Sequence, residues 1–369
     1  MKRITLVVHD LSGNPIVRAS AIAEALEGMG YQVKVVGLLI GSPELYEPFK
    51  NRFNFDTIYC GEGLFGCLVG SYRVSRLIEG DYVYAFKPLI TTFFPALVYK
   101  AKNRKIKLFL DVEDEDISFS KKSFVELVRL YFRGWRSVTE YKYNKWLSLC
   151  LGYCDIITVA STRLQTYYGG FIVKTSSAKV GTYIKNVPTD RIKLFFAGKA
   201  QGYKGFDLLP EVVSDPFFIK NFELHLVGDP SQPHFLDLQK KSPKAVKLHG
   251  MVAVERMSGY ITQFNVALVL QKPMDFTKSQ VPAKLIESLA LGKPVLTTNV
   301  GDIPEIIFSQ GKKSGWLVKG YSSEAVLDQL RYLVCNHREI QEFSFNALEN
   351  FTANFGCKNT KNALKKIGF

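Results

Sequence analysis

The chain alternates short, uninterrupted apolar runs with longer stretches in which apolar residues recur every three or four positions. The runs read as strands at ITLVV (4–8), QVKVVGL (32–38), TIYC (57–60), YVYAF (82–86), IKLFLDV (106–112) and DIITVA (155–160). Between them the spacing predicts helices, for example IVRASAIAEALEGM (16–29), ended by Gly30. After about residue 186 the pattern restarts, with strands at IKLFFAG (192–198), FELHLVG (222–228), AVKLHG (245–250), VALVLQ (266–271) and PVLTTN (294–299). This alternation predicts an α/β protein with parallel sheets and right-handed crossovers. Two such series predict two doubly wound domains, 1–187 and 188–355, joined near KNVPTD (185–190), where Pro188 interrupts the pattern. Residues 356–369 are expected to return to the N-terminal domain. Doubly wound sheets bind ligands at the carboxyl ends of their strands. The chemistry is therefore expected on the loops after strands, with the two domains facing a cleft.

Composition agrees with two packed domains: 369 residues, 47% hydrophobic and 22% charged. No apolar stretch approaches the ~18 residues of a membrane-spanning helix. The opening MKRITLVVHDL turns polar at His9-Asp10, too soon for a signal peptide, and reads as the first strand. Six cysteines contain no CxxC pair, which fits a reduced, cytoplasmic protein.

The net charge of +14 favours an anionic partner. The charge is dense in YKAKNRKIK (99–107), with five Lys or Arg in nine residues. A second basic stretch, KKSFVELVRLYFRGWRSVTEYKYNKW (121–146), interleaves aromatic residues with Lys and Arg. It fits an amphipathic helix on an anionic membrane surface as well as a core helix. Nucleic acid is not expected, because no helix-turn-helix, zinc-finger or RNA-binding signature accompanies these residues.

The densest candidate chemistry lies in KSQVPAKLIESLALGKPVLTTNVGDIPEII (278–307). Pro282 suits the first position of a helix. Leu285, Ile286, Leu289 and Ala290 form its apolar face, and Glu287 points away from it. Free N–H groups and the dipole at Val281–Lys284 suit a phosphate. A carboxylate one turn on can accept two hydrogen bonds from a diol such as a ribose; the plain alternative is a solvent-facing Glu. Lys199 and Lys204 lie on a loop with Gly198, Gly202 and Gly205, where backbone can approach a diphosphate and lysines supply charge. Asp302 and Glu305 fit a capping box as well as a sugar contact. Ser12, Gly13 and Asn14 follow the first strand without a GxGxxG pattern, so a nicotinamide cofactor is not supported. In DVEDED (111–116), Glu113 and Asp114 offer carboxylates that can hold a hydroxyl or take its proton; a solvated acidic loop is the alternative.

The stretch VPAKLIESLALGKPVLTTNVGDIPEII resembles the donor-binding segment of family 4 glycosyltransferases, which have the GT-B fold. That pattern is E-x7-E, small residues, G-x-PV, a strand and G-G-x-P-E. Here Glu287, Gly292, Pro294, Val295, Gly301, Pro304 and Glu305 keep it, while Ser279 stands for the first Glu and Asp302 for the second Gly. FFAGKAQGYKGFDLL (195–209) is similar to the family's diphosphate loop, with Lys199 in the Arg place and Lys204 in the Lys place. ELHLVGDP (223–230) and DIITVASTRLQTYYGG (155–170) resemble further segments in the same order. The family often has a His-Asp pair where Glu113 and Asp114 stand. The resemblance implies a retaining transferase that moves a sugar from a nucleotide diphosphate sugar to a hydroxyl of a glycan or lipid-linked saccharide. It implies donor binding by Gly13, Lys199, Lys204, Gln280, Val281 and Glu287, and catalytic positions at Glu113, Asp114 and Ser279. With lysines meeting the leaving diphosphate, no metal and no further cofactor is implied. Lipid-linked acceptors imply a peripheral place at the inner membrane face. A nucleotide-sugar epimerase of the same fold, or a binding protein without catalysis, is the alternative.

Overall fold

The computed structural model describes residues 2–61, 63–114, 146–183, 185–188 and 190–369. They form two compact units, one running to Ser177 and including Cys357–Phe369, the other spanning Ala178–Gly356.

In the first unit, strands β1 (Arg3–Asp10), β2 (Gln32–Leu39), β3 (Phe55–Tyr59), β4 (Tyr82–Phe86), β5 (Lys107–Val112), β6 (Ile156–Val159) and β7 (Phe171–Ile172) form one sheet. Their order is β3-β2-β1-β4-β5-β6-β7, and every neighbouring pair is parallel. The chain reverses its winding between β1 and β4, which makes their carboxyl ends the switch point. Apolar residues on both faces explain the unbroken runs in the sequence. Ile4, Leu6 and Val8 pack with Ile22 and Leu26 of the helix Ile16–Glu27. Val7 packs on the opposite face with Val36 and Phe93.

The last helix, Cys357–Lys366, belongs to this unit. Leu364 and Ile367 enter the same cluster as Ile22, and the Phe369 ring stacks on Phe109 at 4.3 Å.

The second unit repeats the design. Strands β8 (Ile192–Ala197), β9 (Phe222–Val227), β10 (Val246–His249), β11 (Val266–Val269) and β12 (Val295–Thr298) precede a hairpin of β13 (Phe308–Ser309) and β14 (Lys312–Lys313). Strand β15 (Gly315–Val318) follows, and the parallel sheet runs β10-β9-β8-β11-β12-β15. Here the switch point lies between β8 and β11.

Every strand expected from an apolar run is present. β7, β15 and the hairpin were not expected. β15 is four residues long and begins with Gly315, where a Cβ would sit 2.1 Å from the Val295 carbonyl oxygen. Its three apolar residues, Trp316, Leu317 and Val318, make too short a run to stand out in the sequence. The chain passes between the units at Ser177/Ala178, upstream of the expected 187/188 joint. Pro188 interrupts the strand pattern, but its neighbours are tied into the second unit. Asn186 Nδ2 donates to the Asn265 carbonyl (2.8 Å) and to Ser344 Oγ (2.9 Å), and the Gly181 amide donates to the Ala290 carbonyl (2.7 Å).

Among the described residues no helix is long and apolar enough to cross a membrane. Of the basic aromatic stretch 121–146, all but Trp146 lies outside the described residues.

Candidate functional site

At the carboxyl end of β8 the chain turns through Gly198, whose φ of +127° suits glycine, and presents an exposed Lys199. The flanks of Lys199 are fixed. The Gly198 amide donates to the Val227 carbonyl (2.9 Å). The Gln232 side chain accepts from the Ala200 amide (2.7 Å) and donates to the Gly198 carbonyl (3.4 Å). A 3-10 turn, Gly202–Lys204, follows and closes on Gly205 at φ +75°. A Cβ at Gly205 would lie 2.3 Å from Leu270 Cβ, so only glycine lets the loop sit this close to β11. The Lys272 amide donates to the Tyr203 carbonyl (2.8 Å), tying the same loop to the end of β11.

Three lysines converge here. Lys204 Nζ donates to the Lys199 carbonyl at 3.0 Å. A Cβ at Gly198 would meet Lys284 Cε at 3.4 Å. Burial pushes the Lys204 pKa down, and the charges of Lys284 and Lys199 push it further down. Like charges held together on a glycine-rich loop suit a polyanion, which would relieve their repulsion. Lys284 was not singled out from the sequence; its signal was a lysine one turn before Glu287.

The helix Ala283–Ala290 carries both residues. Its expected apolar face is buried: Leu285, Ile286, Leu289 and Ala290. Pro282 stands one place earlier than expected, as the residue before the first turn, with an extended ψ of 120°. Glu287 is half-exposed, and its Oε2 accepts from Lys284 Nζ at 2.7 Å.

Ser279 ends the helix Asp275–Ser279 and is 0% exposed, with its hydroxyl donating to the Asp275 carbonyl at 3.4 Å. A short side chain in the last turn has folded inward, so Ser279 Oγ is not presented at the surface. Gln280 and Val281 are half-buried in the link to the next helix. Gly301 (φ +56°) presses on the same place, since a Cβ there would lie 2.4 Å from the Lys278 carbonyl oxygen. Asp302 precedes the helix Ile303–Ile307, but its side chain makes no cap bond, so of the two readings of Asp302 and Glu305 the capping box is not formed.

One further group was missed. Gln271 follows β11, and its amide and carbonyl both bond Thr298 Oγ1 at 2.8 Å. The residue is 5% exposed, and its side-chain oxygen has no partner among the described residues. A buried acceptor of this kind at a switch point is a ready partner for a ligand hydroxyl.

The first unit gathers a different set at its own switch point. Asp10 Oδ1 accepts from the Ser12 amide (3.0 Å), Ser12 Oγ (2.7 Å) and the Ile40 amide (3.1 Å), which shapes the loop after β1. Gly13 has room for a side chain, since a Cβ there would come no closer than 3.6 Å to Pro15 Cδ, so backbone alone does not require glycine. Glu113 and Asp114 follow β5, and both face Lys87: its Nζ lies 3.4 Å from Glu113 Oε1 and 2.9 Å from Asp114 Oδ2. Burial pushes the Glu113 carboxyl up to about 7, against the pull of Lys87 and with the push of Asp114. Below them Arg18 holds the buried Asp111 with two hydrogen bonds, Nε to Oδ2 at 2.6 Å and Nη2 to Oδ1 at 2.9 Å. Residues 115 and 116 of the acidic run lie outside the described residues. Among the described residues no group of three or more His, Cys, Asp or Glu is arranged to hold a metal.

Residues 191–336 match the family model described as glycosyl transferases group 1. No curated protein matches the chain. Among solved structures, sucrose-phosphate synthase from Thermosynechococcus elongatus is 14% identical, with 100% of this chain and 98% of that chain covered and a TM-score of 0.71. HepE from Anabaena in complex with UDP is 13% identical, covering 100% and 99% with a TM-score of 0.70. Its complex with UDP-glucose is 14% identical over 100% and 99%, with a TM-score of 0.68. Identities this low establish the fold: two parallel-sheet domains of the GT-B type.

Proposed function

We infer that this chain, whose second unit carries a group 1 glycosyl transferase domain, moves a sugar from a nucleotide diphosphate donor to a hydroxyl acceptor. The observation that carries the reading is the gathering of Lys199, Lys204 and Lys284 at the carboxyl end of β8, beside the sheet's switch point. Cleavage of the sugar–phosphate bond leaves negative charge on the nucleoside diphosphate. Pre-placed ammonium groups stabilise that charge as it develops. The lysines supply it without a metal. Glu287 would accept from both ribose hydroxyls, with Lys284 orienting the carboxylate. Gln280 and Val281 would line the sugar, and the Gln271 side-chain oxygen would accept from one of its hydroxyls. Ser279 would serve through its backbone position.

In the first unit, Glu113 and Asp114 would hold the acceptor hydroxyl, and Gly13, on the loop after β1, would approach the donor. The family resemblance supports retention of the anomeric configuration. HepE, which has been captured with UDP and with UDP-glucose, supports a uridine donor. A glycan or lipid-linked saccharide is the acceptor class we propose. The net charge of +14 supports work at an anionic membrane surface on the cytoplasmic side. Calorimetric titration with UDP, ADP and GDP tests the donor reading: affinity for one diphosphate and none for the free sugar is expected. Co-sedimentation with anionic vesicles that fades as salt rises tests the membrane.

A further inference from the structure

Lys87 and Gln310 are the non-glycine described residues with positive φ, at +73° and +55°. Gln310 sits in a hairpin turn between β13 and β14, where that conformation is ordinary. Lys87 sits in no hairpin. It directly follows β4, at the switch point of the first sheet. A non-glycine residue persists in this region when its surroundings over-determine it, and such sites cluster where function needs them.

The surroundings here are explicit. The Lys87 amide donates to the Asp111 carbonyl at 2.7 Å. The Lys87 carbonyl accepts from Thr92 Oγ1 at 2.6 Å and from the Leu89 amide at 2.9 Å. Asp111 is itself locked by Arg18 and by Thr158 Oγ1 at 2.6 Å. The left-handed turn carries the largely buried side chain across to the adjacent strand end, against Glu113 and Asp114. A lysine in ordinary extended geometry would continue along β4 instead.

We propose that Lys87 is a positioning residue, whose ammonium fixes the spacing of Glu113 and Asp114 and favours the form of Glu113 that accepts the hydrogen bond of the acceptor hydroxyl. The proposal rests on the transferase reading above. Among the described residues, the groups facing Glu113 are Lys87 and Arg18, which draw its proton affinity down, and Asp114 and Asp111, which raise it together with burial. Loss of Lys87 therefore shifts Glu113 further toward its neutral form, a weaker acceptor.

The test uses Lys87→Asn, Lys87→Arg and Glu113→Gln in the full chain. Asn tolerates the left-handed conformation and drops the cation; Arg keeps it. Carbon-13 NMR of labelled glutamate carboxyls, with Glu113 assigned by its absence in Glu113→Gln, reads its titration directly. Lys87→Asn should raise the Glu113 midpoint by about one pH unit or more, the scale of one lost neighbouring opposite charge, and Lys87→Arg should restore it. UDP release from UDP-glucose should show the same shift of its acid limb, with KM for UDP-glucose unchanged. A Glu113 midpoint that is the same in Lys87→Asn and wild type overturns the proposal, as does an acid limb that stays put while the midpoint moves. If wild type neither binds UDP nor releases it from UDP-glucose, the transferase reading fails instead, and the NMR titration still decides whether Lys87 governs Glu113.

Discussion

Lys284 Nζ lies 2.7 Å from Glu287 Oε2, three residues along the same helix, while its charge also bears on Lys204. One lysine thus links the carboxylate expected to meet a ribose with the lysines expected to meet a diphosphate. Without ligand the pair is half-exposed and worth little to stability, as surface ion pairs are. On the donor-binding reading, its value is in orienting Glu287. Wild type should prefer UDP over 2′,3′-dideoxy-UDP by about 1.5–3 kcal/mol, the scale of hydrogen bonds to a charged group. Glu287→Gln should fold normally and lose most of that preference. Calorimetry with both nucleotides checks it; equal affinity of wild type for the two would leave Glu287 as a surface residue.

Lys199 and Lys204 should separate binding from folding. Replacing either with Ala removes a charge-assisted contact worth about 1.5–3 kcal/mol, a loss of roughly ten- to a hundredfold in UDP affinity. Lys204 is desolvated and repelled by two other lysines. Its removal should therefore leave the melting temperature of the ligand-free protein unchanged or higher. A fall in stability with unchanged affinity would assign Lys204 to the fold and not to the ligand.

The two sheets were legible because each central strand is apolar on both faces, and Ile4, Leu6, Val7 and Val8 show why in one segment. Glu287 was legible as an outward carboxylate because helical geometry fixes its direction. Lys87 was not legible. Nothing in YAFKPL announces a left-handed lysine; its conformation is imposed by Asp111 and Thr92, which are near in space through the sheet. Gln271 and Arg18 were hidden for the same reason, as their partners come from other strands. Ser279 shows the converse. The resemblance to a family pattern gives its position, and the inward turn of its side chain is a packing outcome that spacing does not encode.

The second unit should show its own acid sensitivity. His225 Nδ1 and His249 Nε2 are 2.9 Å apart, and His225 Nε2 lies 3.2 Å from Glu223 Oε2. Burial, then the neighbouring His249, pushes the His225 pKa down to about 4. Burial lowers His249 as well. Between about pH 4 and 6.5 the unfolded chain therefore holds a proton that the folded one does not. Stability then rises with pH across that window and is lost as pH falls through it. His225→Phe keeps a ring against Phe264, which lies 4.8 Å away, and removes the proton site. Urea unfolding across a pH series spanning that window should show a shallower decline for the variant than for wild type. Parallel declines would mean that other groups carry the acid response.

The first unit should depend on one buried ion pair. Asp111 is 0% exposed, receives two hydrogen bonds from Arg18 and a third from Thr158, and Thr158 in turn pairs with Tyr84 Oη at 2.6 Å. Burial alone would discourage the Arg18 charge, and Asp111 more than offsets it, so the guanidinium is held above its ordinary range. Breaking such a pair from one side strands the other charge in the interior, at a cost of about 3–5 kcal/mol. Asp111→Asn should therefore destabilise the unit by that order. It should also loosen Lys87, whose amide bonds the Asp111 backbone. Arg18→Met combined with Asp111→Leu removes both charges and should recover much of the loss, because apolar replacement of a whole buried pair is often neutral or better. Denaturant unfolding of the two variants decides between them. If Asp111→Asn costs less than about 1 kcal/mol, the pair is solvated in solution, and the support it gives to Lys87 and Glu113 goes with it.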